Sequence, residues 1–296
     1  MSQDFTEHAK LSPSGSKGWF ACAGKLVMEA SFPNVSGPHS DAGTAMHSVA
    51  ARCLEDGEDP GTFVGQLIDV NYKTEPWRSV KFTEDMAELV TGYVTSLLKI
   101  AGGRPIMVEQ RVDFSRFVGM PNQFGTLDSG IHFVEAGELF IGDLKTGHTP
   151  VEVEDNSQLL IYALGQIEKM RDEDLATDIA DPFAYAAALG IKTIRLAIYQ
   201  PRVITGGWAE WTCSLDYLRT FADLLCRKAT ETVGAEQMVG KLTPDEWQAI
   251  YLNPKPNDRD CAFCRAWQRA PACASTWRRR WGLTSPRSSS VASMRR

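Results

Sequence analysis

The chain has 296 residues, 43% of them apolar, and a formal net charge of −6: enough apolar mass for a sizeable core, and too acidic for broad, nonspecific attachment to nucleic acid. No run of about 18 apolar residues could span a membrane, and the polar opening Met1-Ser-Gln-Asp-Phe-Thr-Glu lacks the apolar centre of a signal peptide, so the expected location is the cytoplasm. Seven cysteines, an odd and scattered set, suit a reducing compartment better than a disulfide framework.

Residues 1–13 read as a flexible arm. Ser14 or Ser16 can cap a helix carrying Trp19, Phe20, Leu26 and Val27, although Gly15, Gly18 and Gly24 weaken it and the stretch from Pro33 to Pro38 breaks it. The next helix is predicted from about 41 to 54, with Ala45, Val49 and Leu54 facing the core and His47 on a neighbouring face. Residues 55–81, rich in Gly, Pro and Asp, read as irregular with a short helix over 63–70. Thr83 then starts an amphipathic helix, with Met86, Leu89, Val90, Tyr93, Val94, Leu97 and Leu98 at helical spacing and Gly102-Gly103 as its stop.

Strand signals follow at 106–108 and 112–114. Next come two apolar runs, Ile131-His-Phe-Val134 and Leu139-Phe-Ile141, joined by the glycine-containing turn of a hairpin. Each run abuts an acid it would otherwise avoid, Asp128 before the first and Asp143 after the second. Side chains alternate along a strand, so Asp143 and Lys145 share a face while Leu144 points into the core. Asp155 or Asn156 can cap the following helix, which carries Leu159, Leu160, Tyr162, Ala163, Ile167 and Met170 and ends in a solvated charged stretch from Glu168 to Asp174. A helical stretch at 183–189, strands at 193–199 and 208–213, and a long helix at 215–233 complete an αβββαβ core with further helices. Thr243 caps a short helix, and the Ser/Arg-rich end over 278–296, with six arginines and no acid, reads as a basic disordered tail.

Two carboxylates on adjacent strands are costly to bury, because like charges and desolvation both oppose ionisation. A divalent cation resolves the cost. Mg²⁺ takes one or two carboxylates, keeps several waters and leaves positions for phosphate oxygens, and a lysine beside it can stabilise charge developing on a phosphate. An isolated Asp-x-Lys reads more simply as an exposed ion pair of little energetic consequence. Glu109 reads by default as a strand-face residue, with a place near a metal as the alternative.

Gly125-Thr-Leu-Asp128, Asp143-Leu-Lys145-Thr-Gly147, Gln158-Leu-Leu-Ile-Tyr162 and the upstream Gly43-Thr-Ala-Met-His47 resemble, in this order, the motifs of the RecB-like branch of the PD-(D/E)XK nuclease superfamily. That branch includes the nuclease domains of RecB and AddB, the CRISPR adaptation nucleases and phage or prophage proteins. The likeness covers about residues 12–275. It implies a restriction-endonuclease-like α/β fold, with one nuclease domain over 14–277, and a metal-dependent deoxyribonuclease, an exonuclease or end-processing enzyme of phage or prophage DNA working in a bacterial host's cytoplasm. Asp128, Asp143, His47 and the carbonyl of Leu144 would hold Mg²⁺ or Mn²⁺, Lys145 would be the catalytic lysine, and Gln158 with Tyr162 would orient Lys145 or the DNA. The implied partners are DNA and phage recombination or replication proteins, with no membrane. The alternative is a catalytically silent DNA-binding or recombination-scaffold protein with the same fold.

Cys261-x2-Cys264 followed by Cys273, all within 261–273, has metal-ligand spacing and needs a fourth donor. The resemblance supplies Cys22, since several RecB-like nucleases join one N-terminal cysteine to three C-terminal ones around a 4Fe-4S cluster. Zinc is the alternative. The eight residues between Cys264 and Cys273 are a longer gap than the family's, and Ala23 stands where close relatives have proline. Cys53, Cys213 and Cys226 read as core residues, and Arg278-Arg-Arg280 beside Trp277 and Trp281 as a DNA contact.

Overall fold

The computed structural model describes residues 9–32, 37–70, 78–204, 207–253, 261 and 264–266. In chain order its elements are α1 (Ser16–Ala21), α2 (Lys25–Glu29), α3 (Pro38–Asp56), β1 (Leu67–Asp69), β2 (Ser79–Lys81), α4 (Glu84–Ala101), β3 (Met107–Asp113), α5 (Ser115–Val118), β4 (Phe124–Phe133), β5 (Glu138–Leu144), α6 (Ser157–Glu173), α7 (Pro182–Ala188), β6 (Thr193–Tyr199), β7 (Trp208–Ser214), α8 (Leu215–Gln237) and α9 (Pro244–Tyr251). They fall into two compact units, Met1–Lys17 with Val35–Thr230, and Gly18–Asn34 with Glu231–Arg296, which divide the span 14–277. Among the described residues, no helix is long and apolar enough to cross a membrane.

The larger unit is α/β. Its sheet runs β3-β4-β5-β6-β7, antiparallel except where β5 meets β6 in parallel. A parallel neighbour needs a long crossover, and α6 with α7 supplies it. Because β5 lies in the middle, every residue from Leu139 to Leu144 is buried, including Asp143 at 1% exposure. That is why an acid at this position demands explanation.

On one side, α3 and α4 pack Ala45, Met46, Val49, Val90, Tyr93 and Leu97 against Ile131, Phe140 and Leu144. The amphipathic pattern of α4 predicts this face, and its ends behave as its sequence dictates: Thr83 accepts from Met86 N at 3.3 Å and Gly102 closes the helix at φ 56°. Elsewhere α6 runs close to β3, where a side chain in place of Gly165 would bring its Cβ to 2.9 Å from Val112 Cβ. Asn156, one of the two predicted caps, accepts from Leu159 N at 3.2 Å.

Several expectations are corrected. The N-terminal helical stretch ends before Pro38 as expected, but the helix predicted from about 41 begins at Pro38, which occupies the first turn of α3, where its missing N–H costs nothing. The predicted N-terminal helix is two short ones, α1 and α2, parted at Gly24. Residues 9–13 are packed, not loose: Leu11 is fully buried and its N–H donates to Gln123 Oε1 at 2.9 Å. The predicted helix over 63–70 is instead a 3-10 turn, Pro60–Phe63, followed by β1, which pairs with β2. The signals at 106–108 and 112–114 belong to the one strand β3. Glu168 is buried within a pair to Arg171 at 2.7 Å, so the end of α6 is less solvated than its charge suggests. Cys53 and Cys213 are core residues as expected, but Cys226 is exposed on α8. Residues 1–8, Cys273 and the 278–296 end lie outside the described residues.

The smaller unit gathers Ala235, Trp247 and Leu252, with Cys22, Val27, Met28 and Tyr251 packed around them. Trp247 Nε1 donates to the Ala235 carbonyl at 2.7 Å, and Thr243 with Glu246 forms a reciprocal capping box at the start of α9.

Candidate metal centre

The hairpin of β4 and β5 turns through Val134–Ala136 and Gly137, which sits at φ 63°. Both strands are longer than their apolar runs, so Asp128 and Asp143 lie inside the sheet. Ser129 faces Gly142 across the ladder, and one residue further along each strand the two acids flank the hairpin's open end. Glycine at 142 is required there: an added Cβ would collide with Ser129 Oγ and lie 2.8 Å from Phe140. Gly125, in the motif leading to Asp128, has a similar reason, since its Cβ would fall 2.7 Å from both Tyr162 Cε1 and Pro13 Cγ.

His47 reaches the acids from α3. Its Nδ1 lies 3.4 Å from Asp128 Oδ2 and 3.8 Å from Glu109 Oε1, and the donor atoms of these three residues all fall within 4.8 Å of one another. Asp128 Oδ2 also accepts the Leu144 N–H at 2.8 Å, so Leu144 joins the site through its amide. Asp143 Oδ1 accepts from Lys145 Nζ at 3.0 Å and from Gln158 Nε2 at 3.2 Å. Gln158 Oε1 takes a second bond from Lys145 at 3.3 Å, and its Nε2 donates to Tyr162 Oη at 3.1 Å. His47 and Asp128 thus converge with Glu109, and Asp143, Lys145, Gln158 and Tyr162 form one hydrogen-bonded chain, whereas Asp143 lies outside the three-residue donor group and Leu144 engages through its N–H and not its carbonyl.

The electrostatics are those of a crowded site in which Asp143 is buried and His47, Glu109 and Lys145 keep part of their surface in solvent. Burial alone would push the His47 imidazole down, but Asp128 and Glu109 more than offset it and hold it well above its usual 6.5. For Asp128 burial acts upward and is outweighed by His47, Lys145 and the Leu144 N–H, leaving its carboxyl below the ordinary range. Asp143 goes the other way: burial and the neighbouring Asp128 charge raise it despite Lys145. Burial also raises Glu109, although His47 pulls against the shift. Burial would lower Lys145, but Asp143 and Asp128 keep it above its usual value. The opposite directions follow from the partners: Asp128 has His47 and the Leu144 N–H, whereas Asp143 is buried beside the Asp128 charge.

A hard divalent cation fits this donor set. Imidazole nitrogen and carboxylate oxygens converge, and Asp143 Oδ2, though 2.7 Å from the Lys145 ammonium, is buried without a hydrogen bond of its own. The thiol set is less complete. Cys261 and Cys264 share a turn, Cys264 N donating to Cys261 O at 3.0 Å, and the Cys22 thiol, raised by burial, also feels Cys264. Cys22, Cys261 and Cys264 do not all lie within 4.8 Å of one another.

A family model described as "Protein of unknown function (DUF2800)" matches residues 8–278. The chain belongs to that family. Among solved structures, it is similar to one titled "Crystal structure of SSO0001", with 12% identity over 84% of this chain and 95% of that chain and a TM-score of 0.31, a likeness that carries no argument.

In this DUF2800 chain the residue that sequence reasoning undervalued is Glu109. It sits in β3 at φ 45°, a conformation that side chains other than glycine rarely adopt, opposite the stretch that carries Asp128. The kink turns its carboxylate to His47, where an ordinary strand residue would follow the pleat. Tyr93 was legible only as a core position of α4, yet its hydroxyl donates to Ser129 Oγ at 3.0 Å and feels the charges of Asp128 and Asp143.

Proposed function

We propose that the chain is a metal-dependent deoxyribonuclease, an exonuclease or end-processing enzyme of phage or prophage DNA replication or recombination, acting in the cytoplasm of a bacterial host. The observation that carries this reading is the convergence of His47, Glu109 and Asp128 with Asp143, Lys145, Gln158 and Tyr162 at the open end of one hairpin. The order α4, β3, β4, β5, α6 and, after α7, β6 supports a restriction-endonuclease-like core of the RecB-like branch.

His47, Glu109, Asp128 and Asp143, with the Leu144 carbonyl, would hold Mg²⁺ or Mn²⁺. When bound, such a cation supplies Lewis-acid polarisation of a phosphodiester and a lowered pKa for water. Lys145 keeps its proton beside Asp143 and so holds a positive charge ready for the negative charge that develops on phosphate. Gln158 fixes that ammonium through Oε1 while its amide hydrogens hold Asp143 and Tyr162, which leaves the lysine little rotational freedom. Hydrolysis then breaks one P–O bond, water giving its oxygen to phosphorus and a proton to the leaving oxygen. In the smaller unit Cys22, Cys261 and Cys264, with Cys273, would hold a 4Fe-4S cluster as a structural staple, with zinc as the alternative donor-matched metal.

The test is incubation of end-labelled single- and double-stranded DNA with Mg²⁺ or Mn²⁺, comparing wild type with Asp143→Ala. Metal-dependent cleavage by wild type and its loss in the variant is the expected result. Equal degradation by both would mean a contaminant, and DNA binding without cleavage by wild type would favour the scaffold reading.

A further inference from the structure

The strands β5 and β6 are parallel neighbours, so both chains leave the sheet at the same edge, where sites of α/β sheets gather. The segment leaving β5 carries Lys145 and runs on to Gln158; the segment leaving β6 begins at Gln200. These two segments are bonded together along their length. Lys145 N donates to Tyr199 O at 2.9 Å, and Arg202 Nη1 donates to Thr146 O at 2.6 Å while its other nitrogen pairs with Asp85.

Gln200 does most of the holding. Its side-chain Nε2 donates to Gly147 O at 3.0 Å and to Thr149 O at 2.8 Å, and its Oε1 accepts from Val151 N at 3.1 Å. The residue is 1% exposed, whereas the loop residues 147–150 are exposed. A buried amide whose hydrogens and oxygen are all spent on the backbone of an exposed loop defines that loop's path, because each loop group left unpaired would face a desolvation cost. A loop so exposed, with no helix or strand of its own, has few other restraints.

We propose that Gln200 is a positioning residue that clamps the 147–151 loop and so fixes where Lys145, at the loop's start, meets Gln158, at the head of the helix beyond it. Its bearing on catalysis rests on the nuclease reading; its bearing on the loop does not. Gln200 touches neither the acids nor the lysine, so the cation donors His47, Glu109 and Asp128 are unaffected by its loss.

Two variants grade the effect. Gln200→Met keeps the shape and removes every bond to the loop, and Gln200→Glu keeps the acceptor for Val151 N–H but loses both donors. Hydrogen exchange should quicken over 147–151 in Gln200→Met while amides of β5 and β6 stay protected, and less so at Val151 in Gln200→Glu. The NMR signal of the Lys145 Cε should move toward that of a solvent-exposed lysine in both. Single-turnover cleavage of a labelled duplex with Mn²⁺ should fall on the order of tenfold with half-saturation by DNA unchanged. Unchanged exchange, or an unmoved Lys145 signal once the loop is released, would overturn the clamp. A faster loop and shifted lysine with no cleavage even in wild type would leave the clamp standing and sink the nuclease reading instead.

Discussion

The two candidate metal-binding regions are built on opposite plans. In the larger unit the donors are hard oxygens and an imidazole, set by strands and helices that exist for packing reasons of their own: β5 is buried on both faces, α3 presents His47 from a core helix, and the kink at Glu109 swings a third donor in. In the smaller unit the candidate donors are thiols from two distant stretches of chain, Cys22 between the short helices α1 and α2, and Cys261 with Cys264, whose N–H donates to Cys261 O. On the proposed reading, a metal in the first arrangement would serve chemistry, and one in the second would contribute to folding.

The sharpest way to break this contrast is at Lys145. Lys145→Ala should reduce Mn²⁺-dependent cleavage by about 10²–10³-fold and lower the melting temperature of the metal-free protein, because the buried Asp143 loses its cation, while circular dichroism still reports the fold, since Asp143 and Gln158 still bond each other. A collapse of the fold would show that the ion pair is structural. Cys264→Ser probes the other region: it should lower bound iron and acid-labile sulfide after anaerobic purification and loosen the smaller unit, with Mn²⁺ affinity of the larger unit unchanged. Stoichiometric zinc in wild type would replace the cluster with the alternative.

Gly125→Ala should cost about 1–3 kcal/mol in chemical unfolding of the larger unit, because the new methyl meets Tyr162 and Pro13, and should slow cleavage by displacing Tyr162 from Gln158. Acidity gives the mildest effect. The folded pKa of His47 lies above its ordinary 6.5, so in the metal-free protein its ion pairs stabilise fully below that value and the contribution fades as pH rises through the folded value. Cation binding runs opposite in sign: the imidazole must shed its proton to donate, so Mn²⁺ affinity should rise with pH until His47 is neutral and then level off. A pH-independent affinity would take His47 out of the donor set.

Much of the candidate site was legible because it is local. Asp143 sits near the end of β5 with Lys145 just beyond it, and Gln158 and Tyr162 sit one turn apart on one helix, so each pair is close in sequence and shares a face. Glu109 was not, because nothing in a strand-like sequence signals a backbone at φ 45°. Gln200 was invisible for a different reason: its partners lie across a parallel strand pairing, and a strand's sequence does not say which neighbour it takes. The ribbon of β1 and β2 was missed because strands of three residues carry too few alternations to show a period. Cys226 misled because α8 carries apolar residues on a face that turns away from it.

The most direct measurement is a Mn²⁺ titration followed by electron paramagnetic resonance on wild type and on Asp128→Asn, the variant that removes the acid shared by His47 and the Leu144 amide while keeping its size. Wild type is expected to bind Mn²⁺ saturably and the variant to lose affinity on the order of 10–100-fold or more, with both proteins equally folded. Equal binding by the two, or none by wild type, would contradict the proposed cation site.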